Sequence, residues 1–138
     1  MRRELLFVYG SLRPGCGGEM ALWLAGAARH LGPAMARGAL YRVDAYPGFV
    51  PGEVGWVAGD LFLLADPEQV LSALDDYEEC AAHFPEPREY RRERLVVETH
   101  SGPVVAWTYV YARALAGLER IESGDFWPDA ACACARGA

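Results

Sequence analysis

The apolar positions fall in short runs with sharp ends. Leu5 to Tyr9 is continuous and stops at Gly10, the pattern of a buried strand. Gly10 to Gly18 holds four glycines and a proline and reads as a loop. Met20, Leu22, Trp23, Leu24 and Ala27 suit a helix over Glu19–His30, ended by Gly32-Pro33. Ala34–Val43 and Trp56–Leu64 read as strands, joined by a turn-rich connection over Asp44–Gly55. Asp66-Pro67-Glu68-Gln69 opens a second helix, with Asp66 as cap, Pro67 in the first turn and Gln69 placed to close a capping box. That helix is predicted over Pro67 to about Glu78. Cys80–Arg88 is irregular, with Pro85 and Pro87. Tyr90–Thr99 and Val104–Ala112 form an antiparallel hairpin around His100-Ser101-Gly102-Pro103. A short helix is expected near Leu115–Ile121. Short strands with two interspersed helices predict an α+β fold, a small mixed sheet curling towards a barrel.

One position in the second helix breaks the pattern. At about 100° per residue, Val70, Leu71, Leu74 and Tyr77 make an apolar stripe about 120° wide. Glu78 falls inside that stripe. Asp75 lies beyond its edge, and Asp76 and Glu79 point the other way. Of the acids in Asp75-Asp76-Tyr77-Glu78-Glu79, only Glu78 faces the core. Loss of hydration there disfavours the charged carboxylate and raises its pKa, which suits proton abstraction near neutral pH. Two structural readings stand beside that one. The helix frays and Glu78 turns to solvent, or Glu78 pairs with Arg88, Arg91 or Arg92.

Composition narrows the function classes. The chain has 138 residues, 52% hydrophobic and 23% charged, which suits one domain over residues 1–129. The Ala- and Cys-rich stretch 130–138 is expected to be a mobile tail. Thirteen basic residues, all Arg, stand against nineteen acidic ones, a net charge of −6. That balance argues against nucleic acid and against an anionic membrane surface as partners. No apolar run approaches the ~20 residues of a membrane helix, and the start does not read as a signal peptide. A cytoplasmic location is expected.

The remaining chemistry is sparse. Cys16, Cys80, Cys132 and Cys134 form no C-x-x-C pair, and His30, His83 and His100 sit alone, so no metal site is expected. Ser11 has no histidine placed beside it by the sequence. Tyr9-Gly10-Ser11-Leu12-Arg13-Pro14-Gly15 follows the first strand. Glycines there let backbone N–H groups turn outward as an anion nest, or simply make a tight turn. It lacks the endings of a P-loop and of a nucleophile elbow.

Taken in order, several short motifs resemble one family. They are Tyr9-Gly10-Ser11-Leu12, Gly38-x-Leu40-Tyr41 with Tyr46-Pro47-Gly48, Leu74-Asp75-x-x-Glu78, Tyr90-x-Arg92, Trp107-x-Tyr109 and Ser123-Gly124-Asp125-Phe126. The sequence is similar to the gamma-glutamylcyclotransferase-like (AIG2-like) family from about Leu5 to Asp125. The resemblance implies a small mixed β-barrel flanked by helices, with a pocket between the Tyr-Gly-Ser-Leu loop and the glutamate. It implies a reaction in which a gamma-glutamyl amine closes to 5-oxoproline and releases the free amine. It places the catalytic acid/base at Glu78 and substrate-binding groups at Tyr9, Gly10, Ser11, Leu12 and Tyr90. No metal or other cofactor is implied, because intramolecular aminolysis has no redox or group-carrier step. The partner is a small gamma-glutamyl substrate, and the protein is a monomer or homodimer.

Two departures stand out. The family glutamate is usually followed by Gly, whereas here Glu79 follows. Cys80–Glu89 is a longer, proline-containing insertion. An acidic rim of Glu78, Glu79, Glu86 and Glu89 would suit a cationic leaving amine, unless Arg88, Arg91 and Arg92 cancel its field. A cyclotransferase, a non-catalytic small-ligand-binding module of the same fold, and an interaction protein remain as readings.

Overall fold

A computed structural model describes residues 4–14, 18–44 and 46–126. The elements run β1 (Leu5–Val8), α1 (Glu19–Ala27), β2 (Ala28–Arg42), β3 (Pro47–Leu64), α2 (Pro67–Tyr77), β4 (Tyr90–Thr99), β5 (Gly102–Tyr111) and β6 (Glu119–Arg120). The class is α+β, as expected. One six-stranded mixed sheet carries all the strands, and β3, β5, β4 and β2 pair in a cycle, so the sheet closes on itself in a ring. Strand β1 runs antiparallel to β3 and parallel to β5, with Leu6 opposite both Phe62 and Trp107. It thereby delivers Tyr9 and the loop after it to the edge where β3 and β5 meet.

Three stretches differ from the sequence expectation, each because strand pairing overrides local pattern. The helix predicted to His30 stops at Ala27. Ala28–His30 instead pair with Leu64–Phe62, and a register shift between His30 and Gly32 leaves Leu31 exposed. The turn-rich connection is shorter than predicted, because β3 begins at Pro47. Pro47 takes the first strand position, where a missing N–H costs least, and pairs with Arg42. Gly48 lies against the Tyr111 ring, where a Cβ would come within 2.8 Å of ring carbon. The Pro51-Gly52 signal marks a bulge instead of a loop. The pairing jumps from Arg37↔Trp56 to Gly38↔Pro51, and residues 52–55 are the extra residues of the bulge. Finally, Leu115–Ile121 is no helix. A turn from Leu115 to Leu118 leads into β6, which pairs with Tyr41 and Arg42.

The Tyr90–Thr99 strand is found with its predicted bounds, and the hairpin holds a ten-pair register from Tyr90↔Tyr111 to Thr99↔Gly102. The core gathers Phe7, Tyr9, Phe49, Phe62, Tyr90 and Tyr109, all fully buried, together with Val70, Leu71 and Leu74 from α2. Burying each such side chain contributes about 1.5–3 kcal/mol. The stretch 130–138, with Cys132 and Cys134, lies outside the described residues, as does Cys16; Cys80 is a free thiol.

Candidate active site

Helix α2 starts and stops on identifiable signals. The Asp66 side chain accepts from the Gln69 N–H at 3.3 Å, and Pro67 fills the first turn. At the far end the Glu79 N–H donates to the Asp76 carbonyl at 3.1 Å, and the Cys80 N–H to the Asp75 carbonyl at 2.9 Å. These two bonds form a Schellman cap around a left-handed residue, here Glu79 at φ 58°. The cap fixes Glu78 as the last residue of the helical path, its N–H on the Leu74 carbonyl at 2.8 Å. Its side chain is 0% exposed, while Asp76 and Glu79 lie in solvent. The helix therefore does not fray to expose Glu78.

The arginines proposed as partners are engaged with other acids. Arg92 binds Asp75 through Nε at 2.9 Å and Nη2 at 3.2 Å. Arg88 lies 3.0 Å from Glu86, and Arg91 pairs with Glu93. Asp75 also accepts the Tyr109 hydroxyl at 2.8 Å. The helical wheel put Asp75 outside the apolar stripe. Its half-buried position comes from β4 and β5, whose approach no helical periodicity reports.

Three tyrosines and a thiol surround Glu78 electrostatically. Tyr9 donates to the Tyr109 carbonyl at 2.5 Å and accepts from the Phe49 N–H at 3.3 Å. Tyr90 donates to the Pro47 carbonyl at 2.6 Å. Burial pushes the Tyr9 hydroxyl well above its ordinary pKa, with the Glu78 charge adding to the effect. Tyr90 is raised by burial, then by Tyr9 and Glu78; Tyr109 is raised by burial, then by Asp75. The Cys80 thiol is pushed up to about 12, by burial first and then by Asp75 and Glu78. These hydroxyls keep their protons and spend them on fixed acceptors, so they serve as rigid walls.

The loop after β1 is a tight turn closed by the Arg13 N–H on the Gly10 carbonyl at 3.0 Å. Ser11 and Leu12 are buried. Arg13 anchors the loop, binding Asp60 at 2.9 Å and Asp125 at 2.7 Å, and His30 meets the other Asp60 oxygen at 2.9 Å. Gly124 beside Asp125 sits at φ 67°, where a Cβ would lie 2.0 Å from the Trp56 carbonyl oxygen. The residue that follows the first family-like motif is thus joined to the last motif by one ion pair.

A cleft of about 670 Å³ opens beside this region, lined among others by Asp75, Cys80, Arg88, Tyr90, Arg92 and Trp107. Of the predicted site residues, the structure gathers Tyr9, Glu78 and Tyr90 into one buried cluster, and Tyr90 alone reaches this cleft. Gly10, Ser11 and Leu12 follow directly from Tyr9 but do not line it. Among the described residues, no group of His, Cys, Asp or Glu is arranged to hold a metal ion. No helix there is long and apolar enough to cross a membrane. Sequence reasoning placed Glu89 only in an acidic rim, whereas it is 6% exposed and accepts the Tyr46 hydroxyl at 2.6 Å. The one signal available was its place next to Tyr90.

The family model described as Gamma-glutamyl cyclotransferase, AIG2-like matches residues 6–128. The chain belongs to this family. It is 36% identical to the gamma-glutamylcyclotransferase family protein YtfP of Escherichia coli K12 over 124 residues, 90% of this chain and 96% of that one. The solution structure of E. coli YtfP superposes with a TM-score of 0.62, covering 88% of this chain and 95% of that chain at 35% identity. A mouse AIG2-like protein shares the fold, with a TM-score of 0.65 at 24% identity, covering 81% of this chain and 79% of its own. Bacillus subtilis YkqA matches with a TM-score of 0.65 at 25% identity over 90% of this chain, which spans only 39% of YkqA. Leu-Asp-x-x-Glu, Tyr-x-Arg and Trp-x-Tyr are separate in this sequence. Here Asp75, Arg92, Trp107 and Tyr109 meet, with Arg92 stacked on the Trp107 ring at 4.4 Å.

Proposed function

We propose that the protein is a gamma-glutamylamine cyclotransferase with Glu78 as its general acid/base. The observation that carries this reading is the position of Glu78. Alone among the acids at the end of α2, it is fully buried, next to tyrosines that hold their protons. A base in such a place is shielded from bulk water yet adjoins a cleft through Tyr90.

The substrate brings its own nucleophile. Glu78 takes one proton from the α-ammonium group, and the resulting amine attacks the γ-carbonyl carbon. As the ring nitrogen bonds to that carbon, its second proton and the electron pair of the breaking C–N bond pass to the leaving nitrogen. Glu78 then returns the first proton, and 5-oxoproline and a protonated amine result. The fold's tasks are to curl the substrate and to stabilise the developing oxyanion. Backbone N–H groups of Gly10, Ser11 and Leu12 would receive the α-carboxylate, with Tyr9 and Tyr90 as walls. No cofactor takes part in these steps.

The test is release of 5-oxoproline from a gamma-glutamyl dipeptide, the gamma-glutamyl-lysine isopeptide and a polyamine conjugate. Wild type is expected to release it from at least one, and Glu78→Gln to lose at least about a thousandfold in kcat while keeping its Tm. Full activity in that variant would remove Glu78 as the base. Binding without release from any compound would favour the non-catalytic module.

A further inference from the structure

The outer face of the sheet is covered at one end and open at the other. On β4 and β5 the pairs Arg92↔Tyr109, Arg94↔Trp107 and Val96↔Val105 lie on one side, since directly opposed residues share a face and every second position repeats it. The end of α2 covers the first pair through Asp75, and Glu4 bonds to both members of the second. Beyond them Val96 and Val105 are each more than half exposed. The same face continues onto β2, where Met35 lies opposite Glu98 of β4, and onto β3, where Trp56 lies opposite Arg37. Met35, Trp56, Val96 and Val105, all large apolar side chains left exposed, thus share one face. Met35, Arg37, Trp56 and Glu98 line a depression of about 520 Å³ on it. Arg37 stacks on the Trp56 ring at 4.6 Å and donates to the Glu53 carbonyl at 2.9 Å. Among the described residues no carboxylate pairs with Arg37 and no cation pairs with Glu98.

We propose that the protein forms a twofold-symmetric homodimer through this face. The β2–β4 register pairs Met35 with Glu98 and Ala36 with Val97, so one residue further Arg37 stands beside Val96. Met35, Arg37, Val96 and Glu98 are then the corners of a four-sided patch. One diagonal, Met35 to Val96, is apolar; the other, Arg37 to Glu98, joins opposite charges. A twofold axis lying along the apolar diagonal brings Met35 and Val96 against their own copies. It sets Arg37 over the partner subunit's Glu98, and Glu98 over the partner subunit's Arg37. The patch is therefore self-complementary, as an isologous interface requires. The two sheets then cross steeply, towards the orthogonal class of sheet packing. Trp56 and Val105 widen the apolar contact on either side. The chain carries a net charge of −6, which repels a second copy in most orientations. Here the local charges balance, so two copies meet at this face with least repulsion. Glu78 takes no part in the face, so the proposal stands apart from the cyclotransferase reading.

The experiment is sedimentation velocity on the full chain at up to roughly 100 μM, a range that detects even a weak pair. Wild type is expected to sediment as a dimer. Arg37→Glu and Glu98→Arg, each alone, set like charges against each other at both contacts of the dimer. Each is expected to weaken association at least about tenfold. Mixed in equal amounts, the two variants have complementary faces and are expected to associate again as a heterodimer. Only charges that meet between chains produce that rescue. Val96→Glu places two carboxylates on the axis and is expected to give a monomer that circular dichroism shows to be folded, because the side chain is exposed in the single chain. A wild-type monomer at the highest concentration would overturn the proposal. So would a dimer that tolerates Val96→Glu, charge variants that associate like wild type, or weakened ones that fail to recover on mixing.

Discussion

The Arg92 guanidinium binds both carboxylate oxygens of Asp75, at 2.9 and 3.2 Å, three residues before Glu78. This pair ties the end of α2 to β4 and leaves Glu78 to the tyrosine cluster. Asp75 also receives the Tyr109 hydroxyl from β5, so one carboxylate joins three elements. Asp75→Asn keeps the shape but removes the charge facing Arg92, whose side chain is 26% exposed. The expected cost is about 2 kcal/mol, between a solvent-screened pair and a fully buried one. It would be read as a lower urea midpoint at unchanged slope. A shift under about 0.5 kcal/mol would mean that the pair is screened by water.

Glu79 carries the strain of the helix cap. Its φ of 58° is a conformation that costs a residue with a Cβ about 1–2 kcal/mol and glycine nothing comparable. The side chain is exposed, so little packing offsets that cost. Glu79→Gly is expected to raise stability by about 1 kcal/mol and Tm by roughly 3 °C. The flexibility that glycine adds to the unfolded chain works against this gain. A fall in Tm would show that this entropy outweighs the relieved strain.

Alkali should unfold the protein through its buried hydroxyls. Tyr9, Tyr90 and Tyr109 are raised mainly by burial, and Cys80 is raised to about 12. Each group is neutral in the fold and ionises more easily in the unfolded chain. Their contribution to stability is therefore complete below the unfolded values, near pH 9 for the thiol and 10 for the phenols. It is lost as pH rises towards the folded values. Tyrosinate absorbance should rise in two stages, with Tyr9, Tyr90 and Tyr109 of the seven tyrosines ionising only as the fold is lost. Alkylation of Cys80 should stay slow at pH 8 until denaturant is added. A single smooth titration near pH 10 would contradict this.

Glu78 was legible in the sequence because its position depends on one helix, and a helix writes its buried face into a 3.6-residue period. The hairpin of β4 and β5 was legible for the same reason at period two. What failed depended on distant partners. Ala28–His30 look helical until Leu64 is there to pair with them, and Glu119-Arg120 become a strand only beside Tyr41 and Arg42. The joining of Arg13 to Asp125 across 112 positions leaves no local mark. Glu89 was read as a rim acid, and its burial went unseen because its partner Tyr46 lies 43 residues earlier in the chain.

The cleft beside Tyr90 bears on which amine leaves. An acidic rim would favour a cationic amine, but the lining sets Arg88, Arg91 and Arg92 against Asp75 and Glu86. Glu86 is paired with Arg88 and Asp75 with Arg92, which cancels most of the acidic field. Trp107 adds an apolar face already stacked by Arg92 and Arg94. If the leaving group occupies this cleft, an amine bearing its own carboxylate meets a slightly positive wall, and a polyamine meets like charge. The expected order of kcat/KM is therefore the gamma-glutamyl dipeptide above the polyamine conjugate. Arg91 has 59% side-chain exposure, so Arg91→Glu should narrow that gap without disturbing the core. The preference should also weaken as salt rises from low to physiological strength, since the wall is open to solvent. A tenfold preference for the polyamine conjugate would place the leaving group elsewhere on the molecule.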